Sequence, residues 1–315
     1  MILVAGSANL DFVVRAPNIP APGETVLGGD FKTYPGGKGA NQAVACARAG
    51  AANTQFLLAL GDDAYAGALE RSLCGAGVQL HVVRDPVQPT GTAFICVSDD
   101  AENAITVAPG ANLSLRPQHL PSLAGVSHLL MQLETPTETV AAYAQAARAQ
   151  GVRVVLNAAP ARPLPSALLA CTDVLVVNEG ELFALASNAP SMGACLDELN
   201  VPVVVVTLGS LGCCARANGQ MLFQTAPDID AVDTTAAGDT FCGVLVAALS
   251  QQHDLAMAMN MATVAGALAC TQPGAQDSIP THAQIAAFMQ QHPSDNPTKA
   301  QALRDRFLTP RHTTP

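Results

Sequence analysis

The sequence predicts an α/β fold with a mainly parallel central sheet, on three observations. Short apolar runs recur at residues 2–5, 55–60, 128–132, 152–156, 174–177 and 203–207. Ala-rich amphipathic segments such as 139–150 lie between them. The runs are apolar at successive positions rather than alternating, as in strands covered on both faces by crossover helices.

The first run leads into Gly6-Ser7-Ala8-Asn9-Leu10-Asp11. A spacing of two puts Asn9 and Asp11 on one side of an extended chain, where the pair suits vicinal hydroxyls or, equally, a turn built on Asx side chains. Residues 12–34, rich in Pro and Gly, break the α/β rhythm. So do residues 91–108, whose apolar stretches 92–97 and 104–107 flank a polar 98–103 and read as a hairpin. Together the two regions predict a small antiparallel sheet covering one end of the large one, a lid. Between them, Tyr34-Pro35-Gly36-Gly37-Lys38-Gly39-Ala40-Asn41-Gln42 opens a helix over 40–49. Its glycines permit close approach to a ligand and Asn41 both donates and accepts, although an ordinary loop-to-helix turn reads the same way. Residues 255–270 are apolar but interrupted by Asn260 and Thr263, which makes them a buried helix rather than a bilayer span. Residues 1–290 thus form one α/β domain. Residues 291–315 are a polar C-terminal tail, mobile or peripheral apart from a short helix around 299–307.

Composition narrows the partners. A 315-residue chain with 49% hydrophobic and 13% charged residues is globular. Its net charge of -10 has the wrong sign for neutralising nucleic-acid phosphates. No run of about 18 apolar residues exists to cross a membrane. Nine cysteines are scattered among apolar residues without a C-x-x-C, as reduced core thiols are. The N-terminus has no basic region, and Asn9 and Asp11 follow where a signal peptide needs apolar length. These features read as a cytoplasmic protein.

Several chemistries are excluded by pattern. Lys38 is followed by Gly39 rather than Ser or Thr, and Lys32 stands where a P-loop needs its first Gly. There is no G-x-S-x-G, no H-E-x-x-H and no pair of histidines at ligand spacing. The informative segment is Asp233-Thr234-Thr235-Ala236-Ala237-Gly238-Asp239-Thr240-Phe241, ahead of the apolar stretch 243–249. Small residues at 236–238 let backbone approach a ligand, and a helix starting there aims unpaired N–H groups and a positive dipole end at an anion. An isolated Asp in a first turn is more often a cap, but capping does not account for Ala-Ala-Gly. A carboxylate beside an anion site suits phosphoryl transfer to an alcohol, with Asp239 accepting the hydroxyl proton.

These segments, with Pro22-Gly23-Glu24-Thr25-Val26, Gly61-Asp62-Asp63, Met131-Gln132-Leu133-Glu134 and Thr207-Leu208-Gly209-Ser210, resemble the ribokinase-like family of carbohydrate kinases from the first strand to about Pro280. The resemblance implies that family's three-layer fold, a mainly parallel sheet flanked by helices with a small β-sheet lid. It implies ATP-dependent phosphorylation of a sugar hydroxyl, D-ribose to D-ribose 5-phosphate first. Deoxyribose, fructose, a nucleoside, or a non-catalytic sugar-binding role on the same fold are the alternatives. By the same resemblance Asp239 is the base and Ala236, Ala237 and Gly238 form the anion hole. Asn9, Asp11, Gly37, Lys38, Asn41 and Glu134 fall where the family contacts sugar. Asn178 and Glu181 match its N-x-x-E motif, with Glu181 acting on Mg²⁺ through water, and Thr207, Gly209 and Gly212 fall along the nucleotide. A K⁺ site is implied at Asp233, Thr235, Ala269, Gln272, Gly274 and Ser278, and a homodimer through the lid sheets. Three departures stand out: Asn157-Ala158-Ala159-Pro160 for the family's Asn-Pro-Ala-Pro, Cys242 for its usual Asn, and Thr263 for a histidine common near adenine.

Overall fold

The computed structural model describes residues 1–100, 102–186, 189–292 and 296–308. Its first half runs β1 (Ile2–Ala5), β2 (Asn9–Ala16), β3 (Gly29–Gly36), α1 (Lys38–Val44), β4 (Thr54–Gly61), α2 (Ala64–Gly75), β5 (Gln79–Asp85), β6 (Gly91–Ser98), β7 (Asn103–Ala108), β8 (His128–Met131) and α3 (Thr137–Ala149). The second half continues β9 (Arg153–Asn157), α4 (Ser166–Ala170), β10 (Val174–Asn178), α5 (Glu179–Leu185), α6 (Met192–Glu198), β11 (Val203–Thr207), β12 (Gly212–Ala217) and β13 (Gln220–Thr225). Helices α7 (Ala237–Ser250), α8 (Leu255–Ala269), α9 (His282–Gln291) and α10 (Pro297–Leu308) complete it.

The large sheet has nine strands in the order β13-β12-β11-β10-β9-β8-β1-β4-β5. It is parallel from β11 to β5, and the hairpin β12–β13 is antiparallel. Alternate side chains leave it on opposite faces. Ile2 and Val4 enter a core shared with α1, α7 and α8, whereas Leu3 and Ala5 enter one shared with α3, α5 and α6. Two-sided burial of this kind, about 1.5–3 kcal/mol per aliphatic chain, explains the unbroken apolar runs.

The three-layer α/β expectation is met, with corrections. The lid is a four-stranded sheet, β3-β2-β6-β7. Its outer pairs are antiparallel, but its central pair β2–β6 is parallel, so the expected antiparallel sheet is a mixed one. Strand β2 also starts at Asn9 rather than residue 12, so Asn9 and Asp11 sit on the lid's own strand. Ala101, in the turn of the β6–β7 hairpin, lies outside the described residues. The helix expected at 40–49 begins at Lys38 and passes into a π-helical turn at Ala45–Ala49.

The C-terminal segment differs most from expectation. Helix α10 docks on the domain: Leu303 is fully buried, Phe307 meets Phe223 edge-on at 5.8 Å between centroids, and Arg306 pairs with Glu179 at 2.8 Å. Residues 293–295 and 309–315 of that segment lie outside the described residues. Among the described residues no helix is long and apolar enough to cross a membrane.

Candidate active site

Asp239 lies in the first turn of α7 and is 8% exposed. It caps nothing: the N-cap residue is Ala236, held at φ 59° in the left-handed region, with no side-chain cap. The Asp239 carboxylate instead accepts from Asn41 Nδ2 at 3.0 Å and Gln42 Nε2 at 2.9 Å, both on α1. Gln42 also donates to Asn157 Oδ1 at 3.0 Å and accepts from Gln132 at 2.5 Å. Two amides thus fix the carboxylate, and a second rank of amides fixes Gln42. A Cβ added at Gly238 would meet nothing within 4 Å. The bare Cα there answers no packing demand inside the protein and leaves room for a ligand at the helix end.

Tight backbone contact explains the other glycine-rich segment. Gly37 has φ 90°, and a Cβ there would fall 2.7 Å from Asn9 N; one at Gly39 would fall 2.6 Å from Ser7 N. The start of α1 is therefore pressed against the β1–β2 connection that carries Asn9. Glu134, just beyond β8, ties this junction by accepting from Ser7 Oγ and from Lys38 N at 3.1 Å.

Asn9 is 3% exposed, and its Oδ1 accepts from Asn112 at 2.7 Å. Asn112 also clasps both backbone groups of Ala8. Asp11 is 8% exposed, and its carboxyl is pushed up to about 7, first by burial and then by the charges of Glu134 and Asp239. The Lys38 ammonium is raised in turn, chiefly by attraction to Asp239 and then by Glu134 and Glu181.

The N-x-x-E pair forms a literal capping box on α5: Asn178 Oδ1 accepts from Glu181 N and Glu181 Oε2 from Asn178 N, each at 2.8 Å. Glu181 nonetheless senses the active centre. Burial raises its carboxyl, Lys38 opposes that rise and Asp239 adds to it.

Two clefts flank the α7 N-terminus. One, of about 650 Å³, opens beneath the lid and is lined by Asp11, Tyr34, Asp233, Thr234 and Thr235. The other, of about 340 Å³ and largely apolar, is lined by Thr207, Gly209, Gly212, Gly238 and Thr263. Thr234 belongs to both. Asn178 does not line the apolar cleft.

The residues implied for K⁺ are brought together in part. Asp233 accepts from Thr235 N and Gly274 N, both at 2.9 Å, joining the two loops. Gln272 and Ser278 line a separate cavity of about 160 Å³, Ser278 Oγ donates to Ala275 O, and Ala269 is fully buried in α8. The donor set is wholly oxygen, which fits an alkali cation. Among the described residues no three His, Cys, Asp or Glu side chains converge on a metal position. Glu181 alone fits a Mg²⁺ that keeps waters and phosphate oxygens as its other ligands.

Sequence reasoning gave no role to Ser7, Gln42, Asn112 or Gln132. Gln42 and Gln132 stood inside quoted motifs, and their polarity within apolar surroundings was the available signal. Asn112 gave none, because its contacts with Ala8 and Asn9 are more than 100 residues distant in sequence.

Asp239 itself lines neither cleft, but a lidded parallel sheet with a buried carboxylate in the first turn of a helix whose N-terminus two clefts flank fits a phosphotransferase acting on a hydroxyl compound. The chain belongs to the pfkB family of carbohydrate kinases, whose model matches residues 1–282. It is therefore an ATP-dependent sugar kinase. It is 36% identical to the ribokinase of Haemophilus influenzae over 92% of this chain and 98% of that protein. Its structure resembles ribokinase from Thermotoga maritima with a TM-score of 0.84 at 33% identity, covering 92% of this chain and 99% of that one. It also resembles Arabidopsis thaliana ribokinase complexed with ribose and ATP, with a TM-score of 0.83 at 30% identity, covering 92% and 98%.

Proposed function

We propose that this sugar kinase transfers the γ-phosphate of ATP to the 5-hydroxyl of D-ribose, acting in the cytoplasm as a homodimer. The observation that carries the reading is the Asp239 carboxylate, fixed by Asn41 and Gln42 in the first turn of the helix whose N-terminus the two clefts flank. Asn9 and Asp11 bind the ring hydroxyls from the lid strand, with Gly37, Lys38, Asn41 and Glu134 completing the sugar side. Asp239 accepts the proton of the attacking hydroxyl. The N–H groups at Ala236, Ala237 and Gly238 stabilise charge on the transferring phosphoryl group. The lid excludes water, which limits wasteful ATP hydrolysis. The nucleotide extends from Asn178 along Thr207, Gly209 and Gly212.

Glu181 would hold Mg²⁺ through water, a cation that would supply neutralisation of phosphate charge. K⁺, held by Asp233, Ser278 and the carbonyls of Thr235, Ala269, Gln272 and Gly274, would order the loop carrying Ala236–Asp239. Exposed lid side chains that stack on Phe12, Phe31 at 62% and Phe94 at 55%, support pairing of two lids. Nine free cysteines accord with a reducing compartment.

Coupled ADP release over ribose, deoxyribose, fructose and several nucleosides tests the reading. Ribose should give the highest kcat/KM. Asp239→Asn should lower kcat by about 10²–10⁴-fold, the scale for a positioned base. Wild-type turnover in that variant removes Asp239 from the mechanism, and preference for another alcohol replaces ribose.

A further inference from the structure

Helix α10 lies beyond the residues that the family model matches, yet it reaches the apolar cleft. Lys299 lines that cleft, and among its lining residues only Lys299 and Asp228 carry charge. These two charges are already spent on each other: Lys299 Nζ stands 2.6 Å from Asp228 Oδ1 and donates to Ala226 O at 3.0 Å. Asn296 reinforces the junction, donating to Asp228 Oδ2 at 3.4 Å and accepting from Lys299 N at 3.1 Å.

Lys299 is 19% exposed whereas Asp228 is 78% exposed, so the lysine stem points inward and its head is held at the rim. The segment it pins supplies Ala226, Pro227, Asp228, Ile229 and Ala231 to the cleft wall. Ala226 N in turn donates to Leu211 O at 3.1 Å, in the turn that carries Gly209. At its far end α10 is anchored by Arg306 on Glu179, the first residue of the helix bearing Glu181. One helix therefore fastens the cleft's outer loop, its glycine turn and the N-x-x-E helix.

We propose that α10 is part of the nucleotide site, with Lys299 a positioning residue that holds the 226–231 wall and lays its methylene stem against a purine base. The inference rests on the kinase reading. Because the ammonium is neutralised by Asp228, it serves the wall and not the phosphates, so its loss acts on nucleotide affinity and leaves the phosphoryl step intact. The sugar cleft does not include α10, so sugar affinity is independent of it.

The test is ADP binding by calorimetry, with KM for ATP and for sugar and kcat, on the full chain, Lys299→Ala, Lys299→Arg and a chain ending at His292. Lys299→Ala should weaken ADP binding and raise KM for ATP about five- to tenfold, and the shortened chain should do so further. Sugar KM and kcat of Lys299→Ala should stay within about twofold, and Lys299→Arg should recover most of the loss. Thermal melts establish that each variant is folded. Unchanged ADP affinity in folded Lys299→Ala and in the shortened chain overturns the proposal, as does a parallel loss of sugar affinity. A full chain that binds no ADP overturns the kinase reading itself, a result distinct from either.

Discussion

Asp11 offers a prediction that separates a binding role from mere burial. Its carboxyl is pushed up to about 7 by burial and by the charges of Glu134 and Asp239. An ionised carboxylate accepts hydrogen bonds from sugar hydroxyls at both oxygens, whereas the protonated form gives one acceptor position up. If only the ionised form binds sugar well, KM for ribose rises as pH falls through 7, by about tenfold from pH 8 to pH 6. The same group acts on stability with a definite sign. Below the unfolded value of 3.8 it is neutral in both states and nothing is lost. Between 3.8 and about 7 the unfolded chain ionises while the folded one resists, and above that range the folded state has lost up to about 4 kcal/mol. Asp11→Asn should therefore bind ribose poorly at every pH, lack the KM titration, and melt at a higher temperature than wild type at pH 8. KM profiles from pH 5.5 to 9, with denaturant melts at pH 5 and pH 8, measure both effects. A flat wild-type KM, or an unchanged titration in Asp11→Asn, refutes the assignment.

Gln42→Leu leaves Asp239 with one amide partner and strips Asn157 Oδ1 and Gln132 Nε2 of theirs. Steady-state kinetics should show kcat reduced about tenfold or more at little cost in KM for either substrate, the pattern for a group that positions a base. His128 is buried, its value lowered to about 4 by burial first and then by Arg153 and the N-terminus. As pH drops from 6.5 toward 4 the unfolded chain gains a proton that the folded chain refuses, so about 3 kcal/mol of stability is lost. His128→Gln should flatten denaturant-derived stability over that range. Replacing K⁺ by Na⁺ should lower kcat, and equal rates in either salt remove the cation from the loop's function.

What the sequence disclosed follows from where two-sided burial operates. The strands that were legible, such as β1, β4 and β11, are inner strands whose apolar side chains enter one core or the other. The missed ones lie at edges: β5 carries Gln79, His81 and Arg84 half in solvent, and the hairpin β12–β13 mixes small and polar residues. Their pairing comes from neighbours, not from a pattern of their own. The parallel β2–β6 contact was invisible for a related reason, since local alternation specifies a strand but not its partner's direction. Helix α10 was expected as a short helix, but its docking escaped because its apolar anchors are few; Leu303 and Phe307 suffice once β13 and α6 present their faces.

The site itself divides along the same line. Segments whose backbone is closely approached or left open are written as small residues: 36–39 presses on the β1–β2 connection and 238 leaves the helix end open, and both segments were legible for that reason. The groups that hold Asp239 and Asn9 are amides drawn from α1, β9 and the turn after β7, and distance in sequence hides such partners. Their chemistry explains why amides were used. Glu134, Glu181 and Asp239 act on a single Lys38, and Glu134 and Asp239 also raise Asp11, so further acids would push Asp11 and Glu181 still higher, while further cations would compete for the proposed base. Neutral donors such as Asn41 and Gln42 orient Asp239 without adding to either charge. The remaining acid surplus faces a polyphosphate substrate, and one lysine does not offset it. In the proposed mechanism a nucleotide arriving with its own divalent cation would offset it, and Glu181, whose carboxyl burial raises and Lys38 opposes, is the acid expected to meet that cation.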